Sequence, residues 1–198
     1  MVFGIGCNDK AKVNSNCSEY ENIEYSIAMA DTTMHREAYE YHEILLNRFK
    51  ETALKGVEYD AYHLQFYSSH GYGRSVKFEN DQEIYTISVK CLGNKEWNED
   101  CKEYKINIEK REWIELEKMI YEFDFWTDEH FRTNEDVLDG FAYLLEGNRP
   151  SAKACKELTN KLIARGSPWY DKIGSLCENI LKHEDQLRFR YEQFNKIK

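Results

Sequence analysis

The chain has 198 residues, of which 41% are hydrophobic and 14% aromatic, which suffices for one hydrophobic core and favours one domain. The net charge of −9 argues against a nucleic-acid-binding protein, because phosphate affinity comes mainly from clustered lysine and arginine. No stretch is long and apolar enough to span a bilayer. We therefore expect an unknown protein or small-molecule partner and no nucleic acid.

Cys7 ends a short stretch of small and apolar residues, and a long polar segment follows it. This arrangement resembles the end of a bacterial lipoprotein signal, in which the cysteine thiol is acylated. Only five residues separate Met1 from Cys7, and Gly4 stands where such signals usually place an aliphatic residue, so an ordinary frayed N-terminus is the alternative. If Cys7 is acylated, the protein lies in the bacterial cell envelope and contacts the membrane through that lipid. Otherwise it is cytoplasmic.

The six cysteines include no Cys-x-x-Cys pair, so zinc ribbons and thioredoxin-type redox motifs are not indicated. If lipid occupies Cys7, five thiols remain and at least one is free. Cys91 and Cys101 flank a polar, turn-like stretch and are the only pair expected to form a disulfide in an exported protein. For Cys155 and Cys177 we expect small buried thiols on apolar faces.

Residues 1–30 lack a sustained hydrophobic period and are predicted to be a flexible tether, with residues 31–198 forming a single α+β domain. From Thr32 or Thr33 to about Lys55, apolar residues recur every three or four positions, which predicts an amphipathic helix that ends at Gly56. An antiparallel set of three strands follows, with a turn at Asn80-Asp81 between the second and third. The predicted spans are Tyr59–Tyr67, Ser75–Phe78 and Ile84–Leu92.

The second half alternates short strands with two helices, and its last part is a charged extension. A loop at residues 127–136 precedes a short apolar run that favours a buried strand. The predicted elements are a strand at Tyr104–Ile108, a helix at Lys110–Phe123, a strand at Phe141–Leu145, a helix at Tyr170–His183 and the extension from about Gln186. The expected fold is therefore an antiparallel sheet of about five to six strands with helices packed on it, plus the N-terminal helix.

Four short motifs follow one another in this half: Phe123-Asp124-Phe125-Trp126, Leu138-Asp139-Gly140, Leu144-Leu145-Glu146-Gly147 and Arg165-Gly166-Ser167-Pro168. In that order they resemble an uncharacterised bacterial family of hypothetical proteins and putative lipoproteins. The similarity covers roughly residues 64–181. It implies an antiparallel sheet with helices packed on it and supplies no activity.

This chain departs from the family pattern in two ways. It is several residues longer between Gly147 and Arg165, and Gly166 replaces a tryptophan. Within the insert, propensity and capping favour a helix from Ser151 to Leu162, whereas the family resemblance implies a strand at Lys161–Arg165. We predict a short helix at residues 151–158 and a strand at residues 160–165.

The candidate ligand-binding residues are His70, Arg74, Glu146 and Arg165, which lie within the stretch that resembles the family, residues 64–181. A charged group in a strand must find a partner or face solvent. Because Glu146 follows two leucines, we expect it to be buried and paired with Arg165 on a neighbouring strand. A ligand pocket formed by these residues is the alternative.

No catalytic residue, cofactor site or metal site is predicted. One face of the first helix carries His35, His42 and Glu43, but the His-Glu-x-x-His zinc motif is incomplete. An acidic cluster from Asp124 to His130 lacks the spacing of a calcium loop. Ser167 lies in no Gly-x-Ser-x-Gly elbow, and the chain has no phosphate loop or dinucleotide fingerprint.

Three classes of function remain, and the first two are not enzymatic. The first is a non-enzymatic, envelope-tethered binding protein that holds its partner on the sheet or on the acidic middle segment, residues 96–146. The alternative is a cytosolic acidic interaction protein, such as an immunity-like inhibitor of a basic toxin, which fits the net charge. An enzyme is the third option.

Overall fold

The computed structural model describes residues 32–54, 57–93, 101–126, 141–150, 160–166 and 172–196. Its elements are α1 (Thr32–Phe49), β1 (Asp60–Ser68), β2 (Gly73–Asp81), β3 (Ile84–Leu92), β4 (Tyr104–Asn107), α2 (Lys110–Glu122), β5 (Phe141–Asn148), β6 (Asn160–Gly166) and α3 (Lys172–Lys196). Among these residues, no helix is long and apolar enough to cross a membrane.

The six strands form one antiparallel sheet in the order β4-β3-β2-β1-β5-β6. Strands β1, β2 and β3 pair with one another in chain order. Strand β5, which comes later in the chain, pairs with the other edge of β1. The predicted α+β class, with five to six antiparallel strands and an N-terminal helix, is confirmed.

Helices cover both faces of the sheet. Both faces carry buried side chains, since successive side chains of a strand point to opposite sides. On β1, Tyr62 and Leu64 join the main core, to which α2 contributes Trp113 and α3 contributes Ile180. We call this side the two-helix face. On the other side, α1 packs Leu45 and Phe49 against Leu144 and Leu162. We call it the α1 face.

The end of α1 and the β2–β3 turn differ from the predictions. Helix α1 ends at Phe49 and not at Lys55, because Lys50 adopts a left-handed backbone conformation with φ of 55°. The β2–β3 turn is formed by Gln82 and Glu83, whose φ values of 51° and 66° are those of a two-residue hairpin turn. The predicted turn residues Asn80 and Asp81 instead belong to β2.

Helix α3 is longer than predicted, since the segment from Gln186 onward continues the helix as far as Lys196. Charged pairs at helical spacing support this part, with Arg188 bound to Asp185 at 2.8 Å and to Glu184 at 3.7 Å.

Strand β5 is also longer than predicted and ends at Asn148. There Gly147 leaves room for two aromatic rings, because a Cβ at this position would lie 2.7 Å from the Phe125 ring and 2.9 Å from the Trp126 ring.

The predicted disulfide between Cys91 and Cys101 is present, and Cys177 is a buried free thiol as predicted. Strand β6 confirms the predicted strand at residues 160–165. Cys155, the predicted loop at residues 127–136, the predicted helix at residues 151–158 and the tether at residues 1–30 lie outside the described residues.

Candidate functional site

Five polar side chains are almost completely buried between α1 and the sheet, and we call them the buried polar cluster. They are His42 on α1, His63 and Gln65 on β1, Ser75 on β2 and Glu146 on β5. Strand register brings them together, because His63 lies opposite Glu146 and Gln65 lies opposite Ser75. None is more than 3% exposed, so each polar atom depends on a partner within the protein.

Glu146 is the centre of one half of the cluster. Its Oε2 lies 3.2 Å from Nε2 of His42, and the backbone N–H of Leu54 donates to both carboxylate oxygens at 2.9 Å. Nδ1 of His42 lies 2.8 Å from Oε1 of Gln65. Burial alone would raise the pKa of Glu146, but the hydrogen bonds from His42 and Leu54 outweigh it and lower that pKa. The carboxylate is therefore ionised and ties α1 and the segment after it to β5.

His63 forms the other half of the cluster with Ser75, whose Oγ lies 2.7 Å from the histidine Nε2. Burial, reinforced by the nearby charge of Lys77, lowers the pKa of His63 to about 3. In nucleophilic catalysis a serine–histidine pair needs a histidine that accepts a proton near neutral pH and a carboxylate on its second nitrogen. Within the described residues, Nδ1 of His63 has no hydrogen-bond partner. The pair is therefore not arranged as a catalytic dyad.

Two ion pairs and a hydrogen bond lie beside the buried polar cluster, at the segment that follows α1. Glu51 binds Lys77 at 2.8 Å and Lys90 at 3.0 Å, and Lys90 also donates to the backbone carbonyl of Lys50 at 2.6 Å. With the Glu146 contacts, these pairs attach residues 50–54 to three strands. The buried polar cluster thus attaches α1 to the sheet through hydrogen bonds, at a buried position where apolar side chains are the usual contacts.

The register of β5 and β6 argues against the predicted pair between Glu146 and Arg165. Register places Glu146 opposite Leu162, whereas Arg165 lies opposite Tyr143, three residues away along β6. An odd offset along a strand puts two positions on opposite faces of the sheet. The described partners of Glu146 include His42 and the Leu54 amide, and the side chain of Arg165 lies outside the described residues.

Arg74 lies on the two-helix face, opposite to Glu146. Its Nη1 binds Glu184 at 2.7 Å and Asp185 at 3.1 Å, and Glu184 also accepts a hydrogen bond from Tyr104. Burial raises the pKa of Glu184. His70 is exposed in the β1–β2 turn. The fold therefore separates His70, Arg74 and Glu146, and the alternative of a single pocket containing all of them is not what the described residues form.

A groove of about 780 Å³ lies at the end of the sheet where the β2–β3 turn meets the segment entering β1. Its lining includes four carboxylates, namely Glu58, Asp60, Asp81 and Glu83, and we call it the acidic groove. The negative charge of the groove contributes to the pKa shifts of two neighbouring side chains, Tyr59 and Glu117. The pKa of Tyr59 is raised to about 12 by burial, its hydrogen bond to Glu79 and the charges of Glu79 and Asp81. Burial together with the charge of Asp60 raises the pKa of Glu117.

Sequence reasoning missed both the acidic groove and most of the buried polar cluster. The groove carboxylates come from two places in the chain, and the pairing of Asp60 with Asn80 brings them together. The predicted hairpin of the first two strands implied this pairing, and it was the sequence signal from which the groove could have been found. Among the residues it describes, the structure shows no group of three potential metal ligands, and the side chain of His35 and residues 128–130 lie outside those residues. His42 is buried and paired, and Asp124 binds Lys172.

Comparisons of this chain with protein-family models, with curated proteins and with solved structures find no match. The resemblance to a bacterial lipoprotein family, based on the motif order, therefore remains a prediction.

Proposed function

We propose that this chain is a non-enzymatic binding protein tethered to the bacterial cell envelope through an acylated Cys7. The disulfide between Cys91 and Cys101 carries this proposal. Disulfides form and persist in oxidising compartments and are rare in the cytosol, where thiols are kept reduced. The bridge closes the connection from β3 to β4, so it is part of the domain's own architecture.

The chemistry of the buried polar cluster supports a binding protein over an enzyme. Its carboxylate and histidines are used to attach α1 to the sheet, and they are closed to solvent. A catalytic group must reach a substrate and hold a pKa suited to proton transfer. His63, with its pKa lowered to about 3, meets neither requirement.

The acidic groove is the surface that best fits a partner. Four carboxylates on an open concave surface attract a cationic segment, and such complementarity mainly raises the association rate and selects the partner. Among the described residues, Lys110 lies 3.7 Å from Glu83, and both side chains are largely exposed. We therefore propose a basic protein or peptide as the partner.

The acidic groove also favours a second candidate, a cytosolic immunity-like inhibitor that covers a basic toxin. This reading shares the cationic partner but places the protein in a reducing compartment, where the Cys91–Cys101 bridge would not be maintained. Compartment therefore separates the two candidates.

Cys7 and Cys17 provide a matched pair for testing the tether. We expect the chain, expressed from its native upstream region, to fractionate with membranes, and Cys7→Ala to release it because the acylated thiol is lost. Cys17→Ala removes a nearby cysteine in a purely polar context and should leave the chain in the membrane fraction. Release of neither variant, or a wild-type chain found in the cytosol, would reject the tether and favour the inhibitor.

The groove is tested with an oligolysine peptide and fluorescence anisotropy. We expect a triple variant of the groove carboxylates to bind roughly tenfold more weakly at low salt, because exposed charges act through complementary potential. The control removes the same charge from exposed carboxylates of α2 and of its N-cap residue Glu109. The groove substitutions are Glu58→Gln, Asp81→Asn and Glu83→Gln, and the control substitutions are Glu109→Gln, Glu115→Gln and Glu122→Gln. Equal weakening by both sets would show that only net charge matters and that the groove is not the site.

A further inference from the structure

Helix α1 can leave the sheet without breaking a strand pairing. None of its residues belongs to the six-stranded sheet, and the main core lies on the other side of that sheet, where α2 and α3 pack. The apolar contacts of α1 belong to a smaller cluster, in which Leu45 and Phe49 meet Leu144 and Leu162. Elements with few buried apolar contacts open locally while the rest of a domain stays folded.

The polar contacts beneath α1 are incomplete. His42 on α1 lies 2.8 Å from Gln65 and 3.2 Å from Glu146. Within the described residues, however, Nδ1 of His63 and Nε2 of Gln65 have no hydrogen-bond partner. A buried polar atom without a partner destabilises the state that buries it, because water would otherwise bond to it. These two atoms therefore favour a state in which α1 has moved away and water reaches β1.

The end of α1 provides a hinge. Lys50 follows the helix directly and has a φ of 55°. The next residue, Glu51, is fixed to the sheet by its ion pairs with Lys77 at 2.8 Å and with Lys90 at 3.0 Å. Hinges are a few residues at the ends of elements that absorb a change of backbone angles. Helix α1 can therefore swing about Lys50 while Glu51 stays on the sheet.

Acid acts on this opening through His63, which is completely buried. Charged or titratable groups face its ring from each neighbouring element, namely His42 on α1, Lys77 on β2, Lys90 on β3 and Glu146 on β5. Burial first, and then the charge of Lys77, lowers the pKa of His63 to about 3, and the opposing charge of Glu146 does not offset them. An exposed histidine titrates near 6.5. The opened state therefore binds a proton that the closed state does not, so acid favours opening.

We propose that α1 is an acid-sensitive lid, hinged at Lys50, which uncovers the α1 face of the sheet as the pH falls below neutrality while the rest of the domain stays folded. Opening exposes the apolar side chains of Leu144 and Leu162 on β5 and β6. The accessibility of this surface thus depends on pH. The lid is a property of the domain itself and holds for an envelope protein and for a cytosolic one alike.

Hydrogen exchange of the full chain, measured by mass spectrometry of its peptides, tests this lid. Each exchange rate is divided by that of the unfolded chain at the same pH, so that only protection is compared. We expect α1 to be less protected than β1 and β2 at every pH, because α1 opens on its own. Between pH 7.5 and 5.5 the protection of α1 should fall roughly tenfold, as the titration of one exposed histidine predicts.

Two histidine variants make the result specific. His63→Gln removes the titrating ring and should abolish most of the acid effect on α1, whereas His70→Gln removes an exposed histidine and should leave that effect intact. If His63→Gln does not fold, His63→Leu replaces it, since leucine fills the site and needs no hydrogen-bond partner.

Three results would overturn the proposal. If α1 and the central strands are equally protected, α1 leaves only when the whole domain unfolds. If the protection of α1 does not change between the two pH values, opening is not coupled to a proton. If the acid effect persists in the His63 variant, the proton binds elsewhere.

Discussion

Glu146→Ala should lower the free energy of unfolding by about 2–6 kcal/mol, because it leaves two buried groups without their hydrogen-bond acceptor and each such loss costs about 1–3 kcal/mol. The substitution leaves the His42 Nε2 and the Leu54 amide facing a space from which their acceptor has gone. It also removes the link between α1 and β5. The measurement is urea denaturation of the purified chain, followed by circular dichroism.

Two further variants make the result specific. Glu146→Gln keeps the size of the side chain and one acceptor oxygen, so it should cost less than Glu146→Ala. Glu43→Ala removes an exposed carboxylate from the same helix and should change stability by less than about 0.5 kcal/mol. If Glu146→Ala were as mild as Glu43→Ala, the buried polar cluster would not be holding α1 to the sheet.

His63 should make the protein lose stability as the pH falls below about 6.5. In the fold its pKa is lowered to about 3, whereas an unperturbed histidine titrates near 6.5. Between these values the unfolded chain binds a proton that the folded chain does not, so acid favours unfolding. Above pH 6.5 the contribution is fully present, and each pH unit below it removes up to about 1.4 kcal/mol.

The test compares urea denaturation at several pH values between 7.5 and 4.5, a range that begins above the unfolded-state pKa and stays above the folded-state pKa. We expect His63→Gln to reduce the slope of stability against pH relative to wild type. His183, whose pKa burial also lowers, and the carboxylates contribute to the remaining slope in both proteins. His70→Gln, which removes an exposed histidine in the β1–β2 turn, should leave the wild-type slope intact. A wild-type slope retained in His63→Gln would mean that His63 titrates normally.

The strands could be predicted because their side chains alternate between two environments. Strand β3 has the predicted bounds, Ile84–Leu92, and β1 differs from its predicted span by one residue at each end. The Cys91–Cys101 pair was predictable for a related reason, since both residues flank a short connection between neighbouring strands. Local pattern and short separation along the chain are what these features share.

The buried polar cluster could not be predicted in the same way. His63, Gln65 and Ser75 are polar residues in strands, a pattern that normally indicates a face exposed to water. They are buried because α1 covers that face and because β5 pairs with β1 from more than seventy residues away. Glu146 was correctly expected to be buried and paired, but its partner depended on the β5–β6 register. Helix α3 was predicted too short because its distal part has no core to define an apolar face.

The mass of the mature chain, isolated after expression from its native upstream region in a bacterial host, tests the central claim most directly. One spectrum reports both the N-terminus and the state of Cys91 and Cys101. We predict a chain that begins at Cys7, carries diacylglycerol on that residue and has the Cys91–Cys101 disulfide intact. An unmodified chain beginning at Met1, with both thiols reduced, would contradict the envelope-tethered binding protein and leave the cytosolic inhibitor as the better account.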